Sequence, residues 1–338
     1  MKLLVLGGTA FVGRAIVEHA LAAGHEVTTF NRGASDSDVD GVRALRGDRN
    51  VPADVRRLRE SGEWEAVIDT SGYVPRNTLA VAQELREVAD SYVFMSTVSV
   101  YADWPVKPLT EQSPVLECQP DAGPDFGEDT EDGPTQYGYQ KSGCEAAARL
   151  AFEDEYTAVI RPGVVLGPRE YVGRLPWWLR RVAAGGRVVA PAPAMRPIQP
   201  IDVRDLAAFA VRCATERLSG AFNAAAPIGP TTFGDMLSAC VDVTGSDAEL
   251  AWVPDEVLLA HGVRQWSELP LWRTFEGVWG VDATRAADAG LTCRPIADTV
   301  RDTWAWMHAQ PEFGEQHERA AEIGLGVERE AAILADLT

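Results

Sequence analysis

Tyr137 and Lys141 stand four residues apart in the stretch YGYQK, near the start of a predicted helix over residues 136–152. At this spacing both side chains lie on one face of the helix. A free phenol has a pKa of about 10, which is too high for proton transfer near neutral pH. Because a nearby ammonium group lowers that pKa, Tyr137 could exchange a proton with a substrate oxygen.

Polar residues and glycines follow several predicted strands in the first half of the chain. Thr97 follows one strand, Ser71 and Gly72 follow another, and Asp48 follows a third. The carboxyl ends of parallel strands meet at one edge of a sheet, where ligands bind in open α/β folds. We therefore expect a single constellation, in which the Thr97 hydroxyl can hydrogen-bond the same substrate oxygen as Tyr137.

The chain begins with a predicted strand, a glycine-rich turn and a helix. The apolar run over 2–6 stops at Gly7 and Gly8, Gly13 follows, and apolar residues then recur at helical spacing. Glycines let a backbone approach a pyrophosphate closely, and a helix amino terminus offers free N–H groups and partial positive charge. The pattern predicts a dinucleotide-binding site, although Ala10 stands where a middle glycine is common.

The end of the second predicted strand, over 26–30, is where the adenosine ribose of a dinucleotide would lie. A carboxylate there would hydrogen-bond the 2′-hydroxyl of NAD, but the strand is followed by Asn31, Arg32 and Gly33. A guanidinium can pair bidentately with a 2′-phosphate, and no acid stands beside it in the sequence. We therefore expect NADP(H) as the preferred cofactor and NAD(H) as the other option. An exposed loop arginine is the alternative interpretation of Arg32.

Strand and helix patterns alternate through the first half of the chain, which predicts an α/β protein with a Rossmann-type, doubly wound parallel sheet. Further strands are predicted over 42–45, 66–69, 92–95 and 158–162, and further helices over 54–61, 78–89 and 175–184. We expect a dinucleotide-binding Rossmann domain over 1–165 and a smaller, mainly substrate-binding region over 166–338. Residues of about 198–218 are expected to return to the Rossmann sheet.

Residues 102–136 interrupt this alternation with a long segment rich in proline, glycine and acid. Its acids are Asp103, Glu111, Glu117, Asp121, Asp125, Glu128, Asp129, Glu131 and Asp132. A loop of this length inside a compact domain is usually functional or disordered. We interpret it as a mobile flap beside the active site, with a solvated acidic excursion as the alternative.

The composition narrows the partners that the chain can have. The 338 residues carry a formal net charge of −19, whereas nucleic acids and anionic membranes require concentrated basic charge. Five cysteines without a C-x-x-C motif predict no disulfide or zinc framework, and the histidines lack ligand spacing, so no metal is expected. No apolar run approaches transmembrane length. We expect a soluble, cytoplasmic protein with a small-molecule substrate, and neither nucleic acid nor membrane as a partner.

The order of these motifs resembles the extended short-chain dehydrogenases/reductases, the superfamily that contains the NAD-dependent epimerases and dehydratases. The likeness covers roughly the first two-thirds of the chain. It rests on GGTAFVG at Gly7, FMSTVSVY at Phe94, YGYQK at Tyr137, RPGVVLGP at Arg161 and IDVRDLA at Ile201. Members of the superfamily are mainly enzymes and are commonly homodimers. Enzymatic activity and a homodimer are therefore both expected for this chain.

The resemblance implies a catalytic triad of Thr97, Tyr137 and Lys141, with Asp48 at the adenine and the 70–72 turn beside the nicotinamide. The full set of expected cofactor contacts is Gly7, Gly8, Thr9, Phe11, Val12, Gly13, Asn31, Arg32, Asp48, Arg49, Thr70, Ser71, Gly72, Tyr137, Lys141, Pro162 and Val164. Substrate contacts are expected from Tyr73, Val98, Ser99 and Arg196.

These residues predict an NADP(H)-dependent oxidoreductase that interconverts a ketone and a secondary alcohol on a small organic substrate by hydride transfer. The first alternative is a nucleotide-sugar epimerase or dehydratase with a retained cofactor. Such enzymes commonly bind a pyrophosphate with an arginine where Ile198 stands here. Arg196 is a substitute on the same strand face, and Arg174 and Arg180 are the other candidates. The second alternative is a non-catalytic NADP(H)-binding regulator, since a related group of these folds binds RNA. The Tyr137 and Lys141 pair argues against a non-catalytic role.

Overall fold

The computed structural model describes residues 1–35, 37–131, 133–310 and 323–337, so Asp132 of the acidic segment lies outside the described residues. The contacts divide the chain into two compact units. The first unit comprises Met1–Gly163, Val203–Ala225 and Gly280–Thr292. The second comprises Val164–Asp202, Ala226–Trp279 and Cys293–Thr338.

The strands are β1 (Lys2–Leu6), β2 (Glu26–Asn31), β3 (Arg43–Arg46), β4 (Ala66–Asp69), β5 (Tyr92–Met95), β6 (Thr157–Pro162), β7 (Val165–Leu166), β8 (Arg187–Pro191), β9 (Ile201–Asp202), β10 (Gly220–Ala224) and β11 (Glu249–Val253). The helices are α1 (Phe11–Ala22), α2 (Pro52–Glu60), α3 (Pro75–Leu85), α4 (Gln136–Phe152), α5 (Arg174–Ala183), α6 (Val203–Thr215), α7 (Phe233–Thr244), α8 (Asp255–Ala260), α9 (Thr284–Asp288), α10 (Ile296–Ala309) and α11 (Val327–Asp336). Short 3₁₀ helices lie at Val98–Val100, Asp154–Tyr156 and Glu276–Trp279.

The first unit is built on a parallel sheet in the order β10-β6-β5-β4-β1-β2-β3. Helices α1 and α6 pack together on one face, and α2, α3 and α4 pack on the other. The central strands are buried throughout their length, as expected for a sheet covered on both faces. This is the predicted doubly wound, Rossmann-type fold, and its strand order reverses between β1 and β4.

The second unit has its own core, formed around α5, α7 and α10. The two parallel strand pairs β8–β11 and β7–β9 belong to this unit. Trp178, Phe233 and Trp272 are fully buried there, and the Trp178 and Phe233 rings meet edge to face at 5.7 Å. These tryptophans therefore contribute to the core. No helix among the described ranges is long and apolar enough to cross a membrane.

The chain returns to the first unit over Val203–Ala225, a range that overlaps most of the expected 198–218. Strand β9 pairs with β7 in the second unit, whereas the strand that joins the large sheet is β10. Residues 280–292 also belong to the first unit. Strand β10 reads GAFNA, which has few β-branched residues, so its membership depends on tertiary pairing with β6 rather than on local preference.

The acidic segment is hydrogen-bonded to α4 of the first unit in its central part, and its interpretation as a mobile flap stays a prediction. The Gln140 Nε2 donates to the carbonyl oxygens of Gly123, at 2.9 Å, and Phe126, at 2.7 Å. The Ser142 hydroxyl donates to the Leu116 carbonyl at 2.5 Å. Both donors belong to α4, so the helix that carries Tyr137 also contacts this segment.

Candidate active site

The glycine turn after β1 is too close to its neighbours to accept side chains. Gly7 and Gly8 have φ angles of +105° and +93°, and a Cβ on Gly7 would lie 2.6 Å from the Thr70 hydroxyl. A Cβ on Gly13 would lie 2.9 Å from the Gly8 nitrogen. Helix α1 then begins after Ala10, which has no side chain to cap it. An uncapped helix amino terminus behind a tight glycine turn fits the pyrophosphate of a dinucleotide.

Helix α4 approaches the end of β5 unusually closely, and Gly138 makes this possible. A Cβ on Gly138 would overlap the carbonyl oxygen of Ser99. The Thr135 hydroxyl caps the helix by accepting from the Gly138 N–H at 3.1 Å. This close approach brings the first turn of α4, with Tyr137, against the short 3₁₀ helix that follows Thr97. Tyr137 remains 42% exposed.

Lys141 lies one turn further along α4 and is buried. Its ammonium donates to the carbonyl oxygens of Gly72, at 2.9 Å, and Met95, at 2.6 Å. It also lies 4.3 Å from the ring centre of Phe94 and 5.2 Å from that of Tyr73. Burial lowers the pKa of Lys141 to about 8, and nearby anionic groups offset only part of that effect. The ammonium thus ties α4 to the ends of β4 and β5.

The Thr97 and Tyr73 side chains flank this pair. The Thr97 hydroxyl oxygen accepts from the Ser99 N–H at 3.2 Å and caps the short 3₁₀ helix. The Tyr73 ring is exposed, and its centre lies 6.4 Å from that of Tyr137. Val98 is buried and Ser99 is partly buried. The predicted catalytic residues and three of the predicted substrate residues therefore share one region of the first unit.

The end of β2 carries a carboxylate that the sequence did not place there. The Asn31 side-chain amide donates to the Gly7 carbonyl at 3.2 Å and to the Asp38 carboxylate at 3.3 Å. Arg46, at the end of β3, pairs with the same carboxylate. The premise that no acid lies near the 2′ position is therefore wrong, because the β2–β3 loop folds back onto Asn31. Arg32 is exposed.

Arg49 forms a buried ion pair. Its guanidinium donates to both Asp69 oxygens, at 2.7 and 2.9 Å, and to the Ser71 hydroxyl at 2.8 Å. The Tyr92 hydroxyl donates to Asp69 at 2.7 Å. Burial alone would raise the pKa of Asp69, but the Arg49 guanidinium holds it below its usual range. The Arg49 side chain therefore supports the 70–72 turn through Asp69 and Ser71.

A second buried ionic network lies behind the site. Glu145, one turn after Lys141, accepts from the Arg161 guanidinium at 2.9 and 2.6 Å and from the Ser96 hydroxyl at 2.5 Å. Arg161 also donates to the Tyr101 hydroxyl at 2.9 Å. Sequence reasoning missed this network and the Asp69 pair. The available signal was an acid or an arginine inside an otherwise apolar buried strand, which requires a partner.

Arg196 lies in the second unit, and its side chain is engaged with Asp255. The guanidinium donates to both carboxylate oxygens, at 2.6 and 2.7 Å, and to the backbone carbonyl of Arg273 at 3.1 Å. The indole N–H of Trp272 donates to the same carboxylate at 2.8 Å. Arg196 therefore has a structural ion pair, which leaves it poorly suited to gripping a pyrophosphate.

The remaining predicted residues occupy varied positions. Thr9 is buried, Val12 is partly buried, and the Thr70 hydroxyl donates to the Leu6 carbonyl at 2.9 Å. The Asp48 carboxylate accepts from the Asn50 N–H at 2.8 Å, which shapes the turn after β3. Pro162 ends β6 in the first unit, and Phe11 begins α1. Val164 belongs to the core of the second unit. Across the described parts of the chain no cluster of histidine, cysteine and acid suited to a metal ion is found.

Comparison with curated proteins finds relatives that include one named as a stem-loop binding protein and one named as a reductase. A chloroplast stem-loop binding protein of 41 kDa from Arabidopsis thaliana is 25% identical over 259 residues, which cover 72% of this chain and 63% of that protein. The 2′-dehydrokanamycin reductase of Streptomyces kanamyceticus is 31% identical over 199 residues, which cover 56% of this chain and 51% of that protein. The chain thus spans less than two-thirds of either relative.

Solved structures agree with the fold. The Bordetella bronchiseptica enzyme WbmG in complex with NAD and UDP has a TM-score of 0.68 at 17% identity, over 93% of this chain and 97% of that one. The UDP-glucose 4-epimerase of Thermotoga maritima has a TM-score of 0.67 at 17% identity, over 92% and 100%. Residues 3–225 match the NAD dependent epimerase/dehydratase family. The chain therefore belongs to that family.

Proposed function

We propose that this chain is an NADP(H)-dependent oxidoreductase that interconverts a ketone and a secondary alcohol on a small organic substrate. The observation that carries the proposal is the arrangement of α4, whose exposed Tyr137 lies one helical turn from the buried Lys141. The glycine turn at the end of β1 lies at the carboxyl edge of the same sheet. NADP(H), when bound, supplies or accepts the hydride.

Each side chain of the site has a role that its environment supports. Tyr137 gives a proton to the substrate oxygen during reduction and takes it back during oxidation. The positive charge of Lys141, one helical turn away, favours the phenolate form of Tyr137. The Thr97 hydroxyl hydrogen-bonds the same oxygen, because the close approach at Gly138 brings α4 next to the residues that follow Thr97.

A reductase is favoured over a nucleotide-sugar epimerase by two observations. The Arg196 guanidinium is paired with Asp255, so one of the three candidates for a pyrophosphate clamp, the one on the matching strand face, is already engaged. One relative is named as a reductase of 2′-dehydrokanamycin, which is a ketone reduction of the proposed kind. The epimerase alternative is supported by structural neighbours such as the NAD and UDP complex of WbmG. Both alternatives use Tyr137 and Lys141.

The catalytic assignment is tested with a pair of tyrosine variants on the same helix. Tyr137→Phe should lower kcat for any ketone that the protein reduces by at least about 100-fold, because general acid catalysis is lost. Its dissociation constant for NADPH should change little. Tyr139→Phe is the matched control, since its ring packs edge to face on Phe126 at 6.1 Å. Turnover by Tyr137→Phe at the rate of Tyr139→Phe would refute the assignment.

The choice between reductase and epimerase is tested by denaturing the freshly purified protein and identifying released nucleotide by mass spectrometry. A reductase exchanges its cofactor at each turnover, so we expect NADP or an empty site that takes up NADPH in preference to NADH. Stoichiometric NAD would mean a retained cofactor, which would favour the epimerase and contradict the assignment of Arg32 to a 2′-phosphate.

A nucleic-acid-binding role is the remaining alternative, because one relative is named as a stem-loop binding protein. The formal charge of −19 opposes it, since affinity for nucleic acid depends mainly on neutralising phosphates with lysine and arginine. We expect no retardation of an RNA stem-loop by this protein in low-salt electrophoresis. A salt-sensitive complex at micromolar protein would count against the purely enzymatic proposal.

A further inference from the structure

The end of β2 holds a small polar cluster that we name the ribose-edge cluster, formed by Asn31, Asp38 and Arg46. The Asn31 side-chain oxygen accepts from the Arg46 guanidinium at 3.0 Å, and its nitrogen donates to Asp38 at 3.3 Å. Arg46 donates to both Asp38 oxygens, to Oδ1 at 3.2 Å. Each member therefore contacts the other two.

The cluster is connected directly to the glycine turn. The Asn31 amide that contacts Asp38 also donates to the carbonyl of Gly7, the first glycine of the turn, at 3.2 Å. In dinucleotide-binding folds the side chain at the end of the second strand faces the adenosine ribose. A substituent on the ribose 2′ oxygen would therefore meet the cluster, and the charge of the cluster acts on that substituent.

The loop between β2 and β3 is held in a position that keeps Asp38 at this site. The Arg14 guanidinium, from the first turn of α1, donates to the Ser37 carbonyl at 2.8 Å. A Cβ on Gly33 would lie 2.7 Å from the Arg46 Nε, so the Arg46 side chain packs against the loop backbone. Hydrogen bonding to Arg46 lowers the pKa of Asp38, so the carboxylate is ionised at neutral pH.

We propose that Asp38 and Arg46 act in opposition to set the preference between NADPH and NADH. Arg46 is a second guanidinium, besides Arg32, that attracts the 2′-phosphate. Asp38 holds the Arg46 guanidinium and repels the phosphate, so it limits the NADP(H) preference. The inference rests on the dinucleotide site of the proposed function, and it assigns that preference to the balance of these charges rather than to Arg32 alone.

The experiment measures dissociation constants for NADPH and NADH by equilibrium titration of the whole protein. Asp38→Asn should strengthen NADPH binding about tenfold and change NADH binding by less than about twofold, because only NADPH has a 2′-phosphate. Arg46→Gln should weaken NADPH binding about tenfold and leave NADH binding unchanged. In the double variant Asp38→Asn/Arg46→Gln, the loss of Asp38 should strengthen NADPH binding by less than it does in the single variant Asp38→Asn.

Asp40→Asn is the matched control. It removes one negative charge from the same loop at an exposed residue whose carboxylate makes no hydrogen bond or ion pair with the described part of the chain. The ratio of the two dissociation constants should stay within about twofold of the wild-type value. A gain as large as that of Asp38→Asn would show that net loop charge, and not the contact with Arg46, sets the preference.

Other outcomes overturn the inference in distinct ways. Equal changes for both nucleotides in Asp38→Asn would mean a structural role. Weaker NADH binding with unchanged NADPH binding would mean that Asp38 accepts from the ribose 2′-hydroxyl. A wild-type protein that prefers NADH would refute the NADP(H) part of the proposed function, and the inference would then be overturned only if Asp38→Asn failed to shift the ratio of dissociation constants towards NADPH. Binding of neither nucleotide would overturn both.

Discussion

Replacing Gly138 with alanine tests whether the close approach of α4 to Ser99 positions the catalytic tyrosine. The added methyl would lie well inside the 3.0 Å that β-carbons keep from a backbone oxygen, so helix or loop must move by about 1 Å. A displacement of that size at a catalytic group costs about 100-fold in rate. We therefore expect kcat/KM to fall about 100-fold.

The stability of the variant is expected to change less than its activity. Overpacking costs about 1–3 kcal/mol, and the better helix propensity of alanine returns about 1 kcal/mol. The net effect is a decrease of a few degrees in Tm. NADPH affinity should fall less than kcat/KM, because the glycine turn and α1 are not displaced and only the contacts from α4 are. The assays are steady-state reduction of a ketone that the wild-type protein accepts, equilibrium binding of NADPH, and thermal unfolding.

Gly62→Ala provides the control for a glycine replacement in the same unit. The nearest atoms to its Cβ would be 3.6 Å away, which is ordinary van der Waals contact. We expect wild-type activity from this variant. Wild-type activity from Gly138→Ala as well, with unchanged Tm, would refute the reasoning, because it would mean that the position of α4 against Ser99 does not control Tyr137.

The remaining predictions concern the buried charges. Activity should fall as the pH rises through about 8, where Lys141 loses its proton, and any residual activity of Lys141→Met should lack this decline. The contribution of Lys141 to the unfolding free energy should rise between about pH 8 and 10.5, where this side chain binds more protons in the unfolded chain than in the folded one, and the pH dependence of the difference in unfolding free energy between wild type and Lys141→Met checks this. Asp69→Asn should cost about 3–5 kcal/mol in denaturant unfolding, because it leaves Arg49 as an unpaired buried charge. A loss under about 1 kcal/mol would contradict that reading.

The elements with a strong local signal were predicted well from the sequence. The strands at residues 66–69 and 92–95 and the helix at residues 136–152 have the predicted bounds. The two strands are short apolar runs between turns, and the helix is a long segment preceded by a polar capping residue. Helix α3 was predicted over 78–89 but runs from Pro75 to Leu85. Proline is well suited to the first helical position, because its missing N–H would have no partner there, and this start signal was overlooked.

Contacts between distant loops could not be predicted from one sequence. Asp38 lies in a loop without periodicity, so nothing in its surroundings indicates that it returns to Asn31. Arg196 and Asp255 are separated by 59 residues, and their pairing has no local signature. Arg49 was expected at the cofactor, whereas its guanidinium satisfies the buried Asp69. A buried charge requires a partner, but the sequence does not say which of several arginines supplies it.

These differences separate the chemistry of the site from its selectivity. The pairing of Tyr137 with Lys141 can be predicted from the sequence, because both residues lie on one helix and its geometry fixes their spacing. The preference between NADPH and NADH depends instead on Arg32, Arg46 and Asp38, which reach the ribose edge from a strand end and a loop. A single arginine after β2 therefore predicts a 2′-phosphate site only when no carboxylate folds back onto the end of that strand. In this chain Asp38 does fold back onto Asn31 and Arg46, which is why we propose that the cofactor preference is a balance of opposing charges.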